Sequence, residues 1–180
     1  MTQYEASTEM PKRSPMGEVS VTSDGTEMNI GLSKGERKKL ADGLSRVLAD
    51  TYSLYLKTQN FHWNVTGPKF LSLHTIFEQQ YRQLAEATDL LAERIRALGF
   101  LAPATFSQFL ELTSIREDRV VHKADEMIAL LVQGHEAVVR GMQSLYPLTE
   151  DAHDDATHDV LARRVEEHEK SAWMLRSLLN

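Results

Sequence analysis

Five side chains of this 180-residue chain have the types and spacing for metal chemistry: His62, His74, Glu78, Asp89 and Glu93. His74 and Glu78 stand four apart, as do Asp89 and Glu93, so on a helix each pair shares one face. A carboxylate pair at that spacing can chelate one cation, and mixed imidazole and carboxylate donors suit iron, manganese or zinc. Each pair also has an ordinary reading. Two acids at i,i+4 usually lie on a solvated face, and Arg96 is placed to form a surface ion pair with Glu93. At about 1.5 Å per residue, His74 and Asp89 on one straight helix lie about 22 Å apart. One chain cannot bring them to one ion. His62 closes the preceding helix, and antiparallel packing sets it beside His74. The histidines therefore gather at one end of the helix pair, with Asp89 and Glu93 well down the second helix. A second subunit related by a two-fold axis is the simplest way to unite the groups, giving two equivalent sites per dimer.

The elements that must position these residues are helices. Ser33 and Glu36 form a capping box, and Leu40, Leu44, Val47, Leu48, Leu54 and Tyr55 follow at close to a 3.6-residue period. The pattern predicts a helix to about residue 62, ended by the Gly67-Pro68 break. A second helix runs from about 68 to 98 through Phe70, Leu73, Phe77, Tyr81, Leu84, Leu91, Ile95 and Leu98, with Gly99 as its stop. After Pro103, the segment TFSQFLEL is long enough for a short helix lying across a connection. Ser114 and Glu117 suggest another capping box, opening a third helix that reaches about residue 145 through Ala124, Met127, Ile128, Leu131, His135, Val138 and Met142. Pro147 interrupts. A fourth helix is expected from about 155 to 179 through Val160, Leu161, Val165, His168, Leu175 and Leu178, with Trp173 packing within it. Four long helices with one long connection between the second and third predict an all-α, ferritin-like four-helix bundle with a short helix in the crossover. A standard in-chain diiron centre would show Glu-x-x-His on two helices. Glu150 and His153 have that spacing but fall in a linker, so the in-chain centre is not expected.

Composition narrows the function classes. An apolar fraction of 42% and a charged fraction of 26% describe a globular domain. There is no cysteine, which excludes disulfides, thiolate catalysis and Cys-ligated metals. No apolar run is long enough to span a membrane, and the first residues lack the apolar stretch of a secretory signal. A formal charge of −6 is a poor default for a nucleic-acid binder.

The stretch KTQNFHWNVTGPKFLSLHTIFEQQY, continuing to ATDLLAERIRALG, resembles the Dps family, the DNA-binding proteins from starved cells or mini-ferritins, and the resemblance covers residues 34–179. It implies a cytoplasmic, nucleoid-associated homo-oligomer: a hollow dodecamer of four-helix subunits with ferroxidase activity. Ferrous iron would be oxidised at intersubunit diiron sites, preferably by hydrogen peroxide, and stored inside as ferric mineral. Carried over residue by residue, His62, His74 and Glu78 match ligands from one subunit, and Asp89 and Glu93 match ligands from its two-fold mate. Glu78 stands where the family often has aspartate, a longer carboxylate on the same side of the helix. Trp63 matches a tryptophan that intercepts oxidising equivalents beside the iron; its ordinary reading is a core or interface aromatic. The short crossover helix would lie at the dimer contact.

Two charged regions complete the reading. Glu150, Asp151, Asp154, Asp155 and Asp159 form an acidic run, usually a solvated face. In a shell such carboxylates could ring a three-fold cation pore, with Asp155 and Asp159 the best pore residues and Asp151 beside them. His153 and His158 are incidental there or bind metal weakly. Residues 1–31 read as a flexible tail, with a transient hairpin around Asp24-Gly25, and residues 32–180 as the bundle. The tail holds two basic and five acidic residues, which argues against the basic-tail mode of DNA binding found in the family. Lys34, Arg37, Lys38 and Lys39 make a small basic patch that could touch phosphate. The alternatives to an iron-oxidising store are a nucleoid-associated protein that protects DNA structurally, and a helical interaction module whose carboxylates are only surface charge.

Overall fold

A computed structural model describes residues 21–25, 28–117 and 120–179. The described chain is helical: α1 (Lys34–Asn64), α2 (Phe70–Ala97), α3 (Phe106–Leu112), α4 (Ala124–Gln143), α5 (Tyr146–Asp151) and α6 (Asp155–Arg176). The capping box at Ser33 is present in both directions, with the hydroxyl accepting from the Glu36 N–H and the Glu36 carboxylate accepting from the Ser33 N–H. Gly99 ends α2 with φ +85, a conformation that L side chains rarely adopt. A Cβ there would also stand 2.7 Å from Met28 Sδ and 2.8 Å from Arg37 Nη1. The conformation demands glycine, and an added Cβ would also displace the ends of two side chains.

Side-chain contacts give the register of the bundle. Tyr55 meets Tyr81 and His62 meets His74, so α1 and α2 are antiparallel. Gly43 backs onto Leu145 and Gly134 onto Leu54, so α1 and α4 are antiparallel too. Lys69 Nζ donates to the Leu178 carbonyl while Arg94 reaches Asp154, which sets α2 against α6. It follows that α2 and α4 run the same way, and the crossover from 98 to 123 with α3 inside it spans the bundle. That is the ferritin-like arrangement expected from the sequence. The core is Leu44, Leu48, Leu54, Phe61, Leu73, Phe77, Leu91, Ile95, Ile128, Leu131, Met142 and Leu161, all nearly or fully buried. No described helix is long and apolar enough to cross a membrane.

Several expectations fail for physical reasons. The third long helix begins at Ala124, not Ser114. The buried Asp50 carboxylate of α1 accepts from the Ser114 N–H, the Ser114 hydroxyl and the Thr113 hydroxyl, so Ser114 is occupied and cannot cap. The Glu126 carboxylate instead receives the Lys123 N–H at the true start. Pro147 does not merely interrupt; it sits in the first turn of α5, where its missing N–H costs nothing. Trp173 is 64% exposed, because the buried stripe of α6 passes through Ala172 and Leu175 and leaves it on the outside. Arg96 pairs with Asp24 and donates to the Phe100 carbonyl, so it is not Glu93's partner.

Residues 1–20 of the expected tail lie outside the described residues. Its last part is held against the bundle: Ser23 pairs with Phe100, Leu101 N–H donates to the Thr22 carbonyl, and Val21 N–H donates to Asp42. Residues 22–24 thus pair with the exit of α2, and the expected hairpin around Asp24 falls partly outside the described residues.

Asp154 is the N-cap of α6 and is 5% exposed. It accepts from the Thr157 N–H and hydroxyl and from Arg94. Burial works against its charge, but the Thr157 and Arg94 hydrogen bonds prevail and hold the carboxyl below its ordinary value. Asp154→Ala strands the half-buried Arg94 guanidinium and removes a helix cap, so urea unfolding should show a loss of about 3–5 kcal/mol. Gly99→Ala should cost at least ~1 kcal/mol in the same assay and loosen residues 21–25, seen as faster proteolysis before Gly31.

Candidate metal centre

The two histidines are organised by orphan carbonyls. The last carbonyls of a helix have no acceptor role within it. His62 lies in the last turn of α1, and its carbonyl receives Nδ1–H of His74 at 3.0 Å. Reciprocally, His62 Nδ1–H donates to the His74 carbonyl at 2.8 Å. A carbonyl can only accept, so both Nδ1 atoms carry the proton. In the neutral rings each Nε2 then keeps its lone pair, the state a metal ligand requires. The rings stack with centroids 3.8 Å apart and planes at 19°. Phe70 stacks on the outer side of His74 at 5.1 Å, and the edge of Tyr81 meets His62 at 5.3 Å. His62 itself is buried, at 7% exposure.

Glu78 follows His74 by one turn of α2, and its Oε1 is bound by Arg82 one turn further on. Arg82 was missed in the sequence reading, although its i,i+4 spacing from Glu78 announces such a pair. The interaction leaves Oε2 and presents the carboxylate on the same helix as His74. Asp89 and Glu93 are exposed and have no hydrogen-bond or ion-pair partner among the described residues. Trp63, next to His62, is 65% exposed, so it is no core aromatic of the single chain.

The chain therefore carries two separate groups. His62, His74 and Glu78 come together where α1 meets α2; Asp89 and Glu93 stand farther along α2. Among the described residues no three His, Asp or Glu side chains converge to hold a metal ion. Neither group lines the cleft in which Tyr52 and Leu56 of α1 meet Phe106, Phe109 and Leu110 of α3. Phe106 is 69% exposed there.

The acidic run divides. Asp154 is a buried structural cap, and Asp159 pairs with Arg163. Asp151 and Asp155 are exposed at the junction of α5 and α6. Glu150, His153, Asp155 and His158 line a small cleft, with His158 Nδ1 bonded to the Thr149 hydroxyl at 2.9 Å. The basic patch is weaker than its sequence suggests. Arg37 is buried and donates to the Leu98 carbonyl at 2.7 Å, and Lys38 pairs with Asp42. Lys34 and Lys39 are left exposed.

Comparison with known proteins agrees with this architecture. The family described as Ferritin-like domain matches residues 41–180. A low temperature-induced protein of Nostoc sp. is 40% identical over 154 residues, covering 84% of this chain and 86% of the relative. DNA protection during starvation protein 2 of Bacillus anthracis is 36% identical, covering 79% and 98%. Among solved structures, the Dps protein of Vibrio cholerae O1 superposes with a TM-score of 0.82 at 30% identity, covering 88% of this chain and 100% of that one. That protein is described as a member of a broad superfamily of ferritin-like diiron-carboxylate proteins. With the same helices, the same crossover and relatives along nearly the whole bundle, the chain belongs to the Dps family of ferritin-like proteins.

Proposed function

We propose that the protein oxidises ferrous iron, with hydrogen peroxide as the favoured oxidant, at sites shared between two subunits of a hollow dodecamer, and stores the ferric product inside. The observation that carries this reading is the separation of two donor groups, one where α1 meets α2 and one farther along α2. One offers Nε2 lone pairs held in place by their own Nδ1–H bonds; the other offers carboxylates with no partner of their own. A two-fold axis at the apolar face of α1 and α3 would bring the groups of one subunit to those of its mate. Iron is here the substrate. Two ferrous ions give one electron each to peroxide, whose O–O bond breaks with uptake of two protons to form two waters. His62 and His74 bind as neutral imidazoles, Glu78, Asp89 and Glu93 offset the cation charge, and Trp63 beside them takes up stray one-electron oxidation.

The same reading gives the acidic junction a task. Asp151, Asp155 and Asp159, repeated around a three-fold axis, would focus cations toward the interior. A second reading, DNA protection by a nucleoid-associated shell, follows the name of the Bacillus anthracis relative. The chain's own surface favours it less, because Arg37 and Lys38 are already engaged.

The test is to load the protein with ferrous iron without oxygen, add peroxide and follow ferric absorbance. Oxidation well above the buffer control is expected; oxidation at the buffer rate overturns the activity. His62→Ala with His74→Ala should slow the fast phase by at least the ~10- to 100-fold that losing even a supporting residue costs at metal sites, while size-exclusion shows assembly intact. Shared sites make a further prediction. A variant lacking both histidines and one lacking Asp89 and Glu93 should each be inactive, yet dissociation and joint reassembly should restore about a quarter of the sites. Sites formed within one chain would recover nothing.

A further inference from the structure

Two histidines that the iron chemistry does not use meet inside the bundle. His135 of α4 and His168 of α6 are 2% and 1% exposed, and their Nδ1 atoms are 2.9 Å apart. One nitrogen donates and the other accepts, so a single proton lies between them. Neither Nε2 has a hydrogen-bond partner among the described residues. One of those atoms is a buried lone pair and the other a buried N–H.

The charges around the pair all oppose a further proton or act at a remove. Arg164, one turn before His168 on α6, acts on both rings. Glu167 of α6 and Glu86 of α2 face Arg164 rather than the imidazoles. From α1 the neighbour is apolar, with Leu54 packed behind Gly134, and the nearby Thr51 and Thr58 hydroxyls are bound to their own helix. No carboxylate acts on either ring from α1, α2, α4 or α6 among the described residues.

Adding a proton to this closed pair has no comfortable outcome. The first would charge an Nε2 that has no acceptor, close to a guanidinium. The second would set two N–H groups against each other at the Nδ1 contact. Burial, reinforced by Arg164, accordingly pushes His135 down to about 3. Burial, His135 and Arg164 together hold His168 well below the ordinary imidazole value.

We propose that His135 and His168 form an acid-sensitive latch between α4 and α6, closed at neutral pH and released as the pH falls toward 5, because only the separated helices can take up the protons. A base whose value is depressed in the folded state adds stability that is complete above its unfolded value, near 6.5, and is lost as pH falls below it. In that window each histidine raises the opening constant about tenfold per pH unit, and the two together up to about a hundredfold. Unperturbed carboxylates titrate lower, and a variant lacking both rings separates the pair from the other five histidines of the chain. The inference does not depend on iron oxidation.

The experiment is amide hydrogen exchange on the full-length protein at pH 7, 6 and 5, corrected for the intrinsic rate. Opening of α4 and α6 near the pair should rise at least tenfold relative to the α1–α2 contact. The variant H135L/H168L replaces both partners by apolar groups and leaves no orphan; its α4 and α6 amides should lose that excess. An unchanged acid response in the variant overturns the proposal. Should the variant not assemble, exchange at the imidazole C2 position of the unaltered chain, read by mass spectrometry, decides. Protonation of the two rings that appears only together with loss of α4 and α6 protection as the pH falls from 7.5 to 5 supports the latch, and full protection at pH 5 with no protonation overturns it. A step near 6.5 in either ring with the helices still protected overturns it.

Discussion

The reciprocal bonds between His62 and His74 are the constraint on which the rest of the site depends. Each imidazole donates to the other residue's carbonyl, so the ends of α1 and α2 are clamped in one register. The same bonds settle which nitrogen of each ring is protonated. An element boundary, a helix pairing and a ligand's chemical state are therefore one decision. A neutral ring without its Nδ1–H bond is free to carry the proton on Nε2, where it presents an N–H instead of a lone pair without any change in fold.

Much of the molecule could be read from residue type and spacing. The 3.6-residue stripes locate α1, α2 and α6 to within a few residues, Gly99 stops α2 as expected, and the long connection with TFSQFLEL inside it implies the crossover. The separation of His74 from Asp89 could be seen from spacing because a helix is a ruler: 15 positions on α2 cannot be folded back on themselves. What could not be read were contacts between distant segments. Asp50 lies 64 residues from Ser114, and nothing local says that it takes the hydrogen bonds a helix cap would have used. Likewise Trp173 is one position off a buried stripe, and a single residue's step around α6 carries its indole outside.

Polar groups inside the bundle show the same limit. His135 and His168 each fit an apolar stripe, and a stripe assigns them to the core without saying that they touch. The basic residues before α1 look alike in sequence, yet Arg37 turns inward to the carbonyl that ends α2 while Lys39 faces solvent. Charge counted along a chain thus overstates the charge presented to a partner. Here the difference removes half of a four-residue patch.

The ion pair of Arg94 with Asp154 joins positions that the sequence keeps 60 residues apart. Arg94 directly follows Glu93, and Asp154 directly precedes Asp155. The backbone carrying the carboxylate half-site is thus pinned, one residue away, to the backbone that opens the acidic face of α6. Two negatively charged places on opposite elements are held at one fixed separation by a pair that is itself neutral. Within the subunit this one ion pair braces the line between them.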